Sequence, residues 1–311
     1  KSQSEMREII RHERRVEFAG EGLYYNDIRR WMTAELVMNA VIQDYAGTDI
    51  AVRAFDPDRE EALARAAAEG VETLLLPAID SESHERLFGL CRRHPQRCIP
   101  MMGLHPTSVN DNPHWREELA LAERYLTAPP EGIARFCAVG EIGLDYHYEN
   151  TDEDAQKRAF CAQLELAHAL CLPVIIHSRD AAADTLQILK DNRRYLSCGG
   201  VMHCFSGSEE TAKEYLKLGL YISFAGSVTF KNARRLDEVA KIVPSERILA
   251  ETDSPYLAPE PLRGTLNTPA NVPFIYKKLA QLRGEDEEEL AQKIYKNAHT
   301  LFTKLNNHGK I

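Results

Sequence analysis

Five histidine or acidic side chains stand at the ends of short apolar runs in this 311-residue sequence. His105 follows "CIPMMGL", Glu141 lies near the end of "FCAVGEIG", and His177 ends "LPVIIH". His203 lies in "GGVMHCF", and Asp253 follows "RILAET". Imidazole and carboxylate groups are ligands for Zn²⁺, Mn²⁺ or Mg²⁺, and burying five of them together without a cation leaves like charges and unsatisfied donors. We therefore predict a divalent metal site.

Seven apolar runs are predicted to be the strands that position these side chains. They are residues 71–79, 98–104, 136–143, 172–177, 199–205, 220–226 and 247–252, and amphipathic segments such as "DAQKRAFCAQLELAHALC" separate them. Strands that alternate with helices predict βα units and a parallel sheet, whose strands end at one common face. The fold class is therefore α/β; seven strands can be counted, and a closed (β/α)₈ barrel needs eight.

The composition excludes some classes of protein. Hydrophobic residues make up 44% of the chain, charged residues 27%, and no apolar run approaches the length of a membrane span, so no membrane association is expected. The net charge of −9 comes without a basic stripe, so an action on phosphodiesters requires bound cations at the site. Seven cysteines without a CxxC pair favour a reduced, cytoplasmic location. No obligate protein partner is evident.

Several motifs in residues 55–311 resemble the TatD family of metal-dependent deoxyribonucleases, which are TIM barrels of the metal-dependent hydrolase superfamily. They are "GLHPTS", "VGEIGLDYH", "LPVIIHSRDA", "GGVMHCFSG", "GSVTFKNA", "LAETDSPYLAP" and "RGTLNTPANV". The resemblance implies a hydrolase of DNA phosphodiester bonds, acting on single strands or 3′ ends as a 3′–5′ exonuclease. Two metal ions roughly 4 Å apart would activate water and neutralise the transition state.

The resemblance also implies a role for each site residue. Glu141, His177 and His203 would hold one metal, and Glu141 could bridge to a second. Asp253 would serve the second metal and act as the general base for the attacking water. Two further residues, His105 and Arg263, would bind substrate, with His105 approaching the scissile phosphate.

One element of the family pattern is absent from the sequence. The first TatD strand ends in Asp-Thr-His-x-His, whose histidines bind the second metal, and the family spacing puts Tyr45, Gly47 and Asp49 at those three positions. Asp49 could coordinate, but it is more simply a turn residue in "AGTD". We predict one well-formed metal site, a second that is weak or empty, and a first strand that is missing or replaced by "NAVIQDY" (39–45).

The residues before this stretch resemble a different family. "IRHERRVEFAGEGLYYNDIRRW" and "GTDIAVRAFDPDR" are similar to the C-terminal part of SusD/RagB-family proteins, over about residues 4–58. We predict a helical fragment at 1–54 that does not fold as an independent domain, followed by the TatD-like barrel at 55–311. The SusD-like and the TatD-like segments both contain "AFDPDR", which suggests a chimeric join within residues 54–59.

Two other functions stay open on the sequence. The same strand-end ligands could hydrolyse another ester or amide, such as an aminoacyl-tRNA or a small cyclic substrate. The N-terminal resemblance suggests a different class, a glycan-binding SusD-like protein, although the rest of that fold does not follow in the sequence.

Overall fold

The computed structural model describes residues 59–306. Seven strands and nine α-helices follow one another within that range. The strands are β1 (Leu74–Pro77), β2 (Cys98–Met101), β3 (Val139–Asp145), β4 (Val174–Arg179), β5 (Gly200–Met202), β6 (Tyr221–Phe224) and β7 (Ile248–Ala250). The helices are α1 (Arg59–Ala68), α2 (Ser81–Arg93), α3 (Trp115–Thr127), α4 (Glu153–Ala169), α5 (Ala182–Asp191), α6 (Glu209–Lys217), α7 (Arg234–Ile242), α8 (Val272–Arg283) and α9 (Glu287–Leu301).

All strand pairs are parallel and follow the order of the sequence. β1 pairs with β2, and β3 to β7 form a second run of neighbours in the order 3-4-5-6-7. A single bridge between Met102 and Val139 joins the two runs just beyond the end of β2. The α/β, TIM-barrel-type fold predicted from the sequence is confirmed. Within residues 59–306, β1 and β7 each have one neighbouring strand.

Alternate side chains along the strands enter two separate cores. One core lies between strands and helices and takes Val174 and Ile176 from β4. The other takes the residue between them, Ile175, together with Val201 of β5 and Leu249 of β7, and includes Leu301 and Phe302 at the end of α9. Side chains of a strand point alternately to opposite faces, so this second cluster lines the concave side of the curved sheet.

The observed strands confirm the seven predicted runs, with two corrections that matter for the site. β3 and β4 run beyond their predicted ends, to Asp145 and Arg179. Glu141 therefore lies within β3 and His177 within β4, because the parallel pairing of these strands continues through Asp145 and Arg179. The other runs are shorter than predicted, since their flanking residues belong to the connecting turns.

Several sequence predictions fall outside the described residues. The helical fragment at 1–54, the substitute strand at 39–45 and Asp49 all precede residue 59, and so does the join at 54–59 except for its last residue. The described residues begin with α1 at Arg59, and the chain turns after this helix at Gly70, whose φ of 80° suits glycine. Between residues 59 and 306, every helix is too short or too polar to cross a bilayer.

Candidate metal centre

The structure brings the five predicted residues together at the C-terminal ends of the strands. Oε2 of Glu141 lies 3.8 Å from Nε2 of His105, and Oε1 lies 3.6 Å from Nε2 of His203. The same Nε2 of His203 lies 3.5 Å from Oδ1 of Asp253. The ring of His177 lies beside both other imidazoles, with centroids 4.7 Å from that of His105 and 6.5 Å from that of His203.

Glu141 occupies the middle of this cluster. Its side chain is only 13% exposed. Burial raises the pKa of Glu141, and the nearby carboxylates of Asp253 and Glu251 raise it further against the opposing effect of the histidines. A carboxylate in such a place is stabilised in its charged form by a cation. The donor set of imidazoles and carboxylates suits a divalent ion of borderline character, so the residues fit the predicted metal.

His203 is oriented by a residue that the sequence interpretation missed. Nδ1–H of His203 donates to Oε2 of Glu251 at 2.6 Å, and the backbone N–H of Cys204 donates to Oε1 of the same carboxylate at 2.6 Å. This leaves Nε2 of His203 facing Glu141 and Asp253. Burial lowers the pKa of His203, but Glu141 and Glu251 outweigh that effect and hold it well above its usual value.

His177 has an equivalent partner. Its Nε2–H donates to Oδ2 of Asp145 at 2.9 Å, and the buried Asp145 also accepts the backbone N–H of His147. Burial raises the pKa of Asp145, yet the hydrogen bond and charge of His177 outweigh it, so that this pKa is lowered. A carboxylate that binds one ring nitrogen of a histidine fixes the other as a lone-pair donor, an arrangement common at metal sites.

Asp145 and Glu251 carried a signal in the sequence. Asp145 lies four residues after Glu141 in "GEIGLD", and Glu251 lies two residues before Asp253 in "ETD". Asp145 and Glu141 are an even number of positions apart on one strand and so share a face, which could have placed Asp145 beside the site; for Glu251 the signal is only its closeness to Asp253 in the sequence.

His105 carries its proton on the ring nitrogen opposite to that of His203. Its Nδ1 accepts the backbone N–H of Thr107 at 3.2 Å and lies 2.7 Å from the hydroxyl of Thr107. Burial lowers the pKa of His105 well below its usual value, so the ring is neutral and carries its proton on Nε2. One possible ligand atom from each of His105, Glu141 and His177 lies within 4.8 Å of the others. The protonated Nε2 nevertheless makes His105 a hydrogen-bond donor there.

Two buried glutamines of α4 fix the strand ends that carry these residues. Gln163 binds both backbone groups of Leu104, accepting from its N–H at 2.7 Å and donating to its carbonyl at 3.1 Å. Gln156 binds both backbone groups of Asp145 in the same way, at 2.8 and 2.9 Å. The two side chains are seven residues apart and so lie on one face of the helix.

Gly143 allows β3 and β4 to approach closely beside the site. It pairs in register with His177, and its φ is 140°. A Cβ atom at this position would lie 2.0 Å from the carbonyl oxygen of His177. Only glycine fits this contact, which sets the spacing between the strands that carry Glu141 and His177.

Asp253 lies on a turn after β7 rather than on the strand itself. Its φ is 55°, a left-handed conformation that surrounding contacts must hold. Nδ2 of the buried Asn267 donates to the carbonyls of Thr252 and Tyr256 on either side of it, at 2.7 and 2.6 Å. Burial raises the pKa of Asp253, but the hydrogen bond and charge of His203 outweigh it and lower that pKa.

Arg263 is the remaining predicted site residue. Its guanidinium lies over the ring of Phe230, with Cζ 4.4 Å from the centroid. Its substrate-binding role therefore stays a prediction.

Comparisons with known proteins agree with this geometry. The family model described as "TatD related DNase" matches residues 46–303. The chain belongs to the TatD family. The metal-dependent hydrolase YcfH of Escherichia coli (strain K12) is 42% identical over 245 residues, which cover 79% of this chain and 88% of YcfH.

A second TatD relative carries a more specific name. The 3′-5′ ssDNA/RNA exonuclease TatD of Cronobacter sakazakii is 37% identical over 263 residues, covering 83% of this chain and 97% of that protein. The crystal structure of YjjV, a TatD homologue from E. coli K12, superposes with a TM-score of 0.73 at 32% identity, over 80% of this chain and 93% of YjjV. Membership of the TatD family confirms the predicted class of enzyme, a metal-dependent hydrolase.

A second family model, for the SusD family, matches residues 1–83. Its range overlaps the TatD match at residues 46–83, and most of it precedes the described residues.

Proposed function

We propose that this TatD-family protein hydrolyses phosphodiester bonds of DNA with the help of divalent metal, removing nucleotides from the 3′ ends of single strands. The observation that carries the proposal is the position of Glu141, buried between the Nε2 atoms of His105 and His203. The 37% identity to a protein named as a 3′-5′ ssDNA/RNA exonuclease supports the substrate class.

Glu141, His177 and His203 would hold one ion of Zn²⁺, Mn²⁺ or Mg²⁺, and Asp253 would serve a second. The hydrogen bonds from His177 to Asp145 and from His203 to Glu251 support this set, because each leaves one ring nitrogen as a ligand. A bound divalent ion supplies Lewis-acid charge for the phosphoryl oxygens and makes water a nucleophile at neutral pH. We propose that the second site is weak or empty, since the family's His-x-His is absent. Equilibrium dialysis that finds two tightly bound ions per chain would contradict this.

Asp253 would take the proton of the attacking water, since the lowered pKa keeps its carboxylate ionised at neutral pH. His105 would donate its Nε2–H to an oxygen of the scissile phosphate, because Nδ1 is committed to accepting from Thr107. Arg263 would help to hold the nucleic acid strand, as the family resemblance implies.

The test is the release of nucleotides from a single-stranded oligonucleotide labelled at the 5′ end, with Mn²⁺ or Mg²⁺ and with EDTA as the blank. We expect progressive shortening from the 3′ end that His203→Ala abolishes. His114→Ala is the matched control, because the side chain of His114 is 76% exposed and lies outside the metal centre. If the oligonucleotide stays intact while the protein deacylates aminoacyl-tRNA in a parallel assay, the metal centre acts on another ester.

We also propose that residues 1–54 and 55–311 have separate origins, the first as a SusD-like fragment and the second as the TatD-like barrel. The two overlapping family matches support this division. Reading one unbroken molecule of source DNA across the codons for residues 40–70 tests it. A sequence without the join would replace residues 1–54 by a first TatD strand.

Seven free cysteines support a cytoplasmic location for the protein.

A further inference from the structure

Arg179 lies on the same face of β4 as His177. Ile175 points into the concave core, His177 points to the metal centre, and Arg179 follows at the next position with the same orientation. Between them, Ser178 bonds Thr185 of α5 on the opposite, helix-covered face, with 2.9 Å between the hydroxyl oxygens. Two residues of strand span about 7 Å, so Arg179 stands at the mouth of the site, above His177.

Tyr148 lies beside Arg179 at this mouth. Cζ of Arg179 is 5.9 Å from the centroid of the Tyr148 ring. Two contacts tie the segment after β3 to the end of β4: the backbone N–H of Tyr146 donates to the carbonyl of Arg179, and His147 bonds the carboxylate of Asp180, both at 2.9 Å. The pair is thus held at a fixed place relative to the metal centre, and both side chains are partly exposed.

The chemistry of this pair matches a nucleotide. A guanidinium binds phosphate oxygens in a planar, bidentate way, and an aromatic ring stacks on any base. In a chain of net charge −9, a cation at the mouth also offsets the repulsion of a polyanion. We propose that Arg179 and Tyr148 form a nucleotide subsite, in which Arg179 holds a phosphate next to the scissile one and Tyr148 stacks on its base. The inference rests on the proposed function and adds the residues that select a nucleic acid strand.

The test measures binding rather than cleavage. A fluorescein-labelled single-stranded oligonucleotide is titrated with protein in EDTA, and Kd is followed by anisotropy at several salt concentrations. Tyr148→Leu should raise Kd about tenfold, while Tyr148→Phe stays near the parent value because the ring is kept. Arg179→Gln should raise Kd about tenfold and lower the slope of log Kd against log salt by about 0.7, the loss of one phosphate contact. Arg179→Lys should keep the slope.

The chain offers a matched control pair. Arg194 lies over the ring of Tyr195 at 4.6 Å, in the turn that precedes β5 and therefore at the opposite end of the sheet. Arg194→Gln and Tyr195→Leu should leave Kd unchanged. Equal Kd values for all variants, or no binding by the parent protein, would overturn the subsite.

A second readout separates this inference from the proposed function. Methyl p-nitrophenyl phosphate is a diester that has neither a base nor a second phosphate. The Tyr148→Leu and Arg179→Gln variants should therefore hydrolyse it at the parent rate in the presence of metal. Loss of that rate together with the oligonucleotide activity would make Arg179 a support of the metal centre and overturn the subsite. A parent protein that binds the oligonucleotide in EDTA but hydrolyses neither diester would instead contradict the proposed function alone.

Discussion

Glu251 receives two hydrogen bonds from consecutive residues, His203 through Nδ1–H and Cys204 through its backbone N–H, each at 2.6 Å. One carboxylate thereby fixes both the tautomer of His203 and the backbone that carries it, although the acid and the imidazole are 48 residues apart.

Replacement of Glu251 should therefore weaken metal binding without removing a ligand. Glu251→Gln keeps the size of the side chain but cannot accept both hydrogen bonds, so we expect roughly 10- to 100-fold lower metal affinity. Isothermal titration with Mn²⁺ or Zn²⁺ measures this. Glu246→Gln, at an exposed position before β7, is the control and should bind as the parent does. Unchanged affinity in Glu251→Gln would show that the contact does not orient His203.

Metal binding should release a proton near neutral pH. The pKa of His203 is held well above its usual value by Glu141 and Glu251 despite burial, so the metal-free ring is charged at pH 7. An imidazole must be neutral to bind metal. Below this raised pKa, each decrease of one pH unit therefore lowers the apparent metal affinity about tenfold. Titrations at pH 7 in buffers of different ionisation enthalpy should give a release of about one proton per ion. A release near zero would mean that His203 is already neutral.

His84 should make the fold sensitive to acid. Its side chain is 3% exposed, burial lowers its pKa to about 4, and neither ring nitrogen has a hydrogen-bond partner among the described residues. The unfolded chain binds this proton near pH 6.5, so His84 adds stability above that pH that is lost as the pH falls towards 4. Between pH 7.5 and 5 the loss is about 2 kcal/mol.

His84→Phe tests this sensitivity, because His84 already packs against the rings of Phe88 and Tyr125. Urea unfolding at pH 7.5 and pH 5 should show a smaller difference between the two pH values in this variant than in the parent. His114→Gln, on the surface, should leave the parent difference intact. A variant that loses as much stability as the parent would place the acid sensitivity elsewhere.

Gly143→Ala should damage both the fold and the metal centre. The added Cβ would meet the carbonyl oxygen of His177 at 2.0 Å, so β3 and β4 must move apart. We expect a loss of several kcal/mol in unfolding free energy and weaker metal binding. Gly284→Ala is the control: its φ of 65° is also left-handed, but a Cβ there has no described atom within 4 Å. That change should cost about 1 kcal/mol, from backbone conformation alone.

The regular alternation of strands and helices made much of the fold predictable. Apolar runs of six to nine residues, five of which lead to a His or an acid of the site, identify the strand order and the face that carries the chemistry, because parallel strands all end on one side. His105, Glu141, His177, His203 and Asp253 could be assigned to one site on that ground alone.

The contacts that tune the site could not be predicted in the same way. The direction in which each imidazole carries its proton depends on partners such as Thr107, Asp145 and Glu251, whose hydrogen bonds are settled by tertiary packing. The predicted ends of β3 and β4 are two residues too early because polar residues begin at Asp145 and Ser178, yet strand pairing continues through the pairs Leu144–Ser178 and Asp145–Arg179.

The two glutamines of α4 have a consequence for engineering. Because Gln163 and Gln156 anchor the backbone at Leu104 and Asp145 directly to the helix, and His147 makes the last backbone contact with Asp145, the segment between His147 and the start of α4 makes no described contact with the metal ligands. Asp152 closes that segment by capping the helix at Ala155. Residues 148–151 could therefore be exchanged for those of another barrel as a cassette, changing what the protein accepts while its reaction centre is left in place.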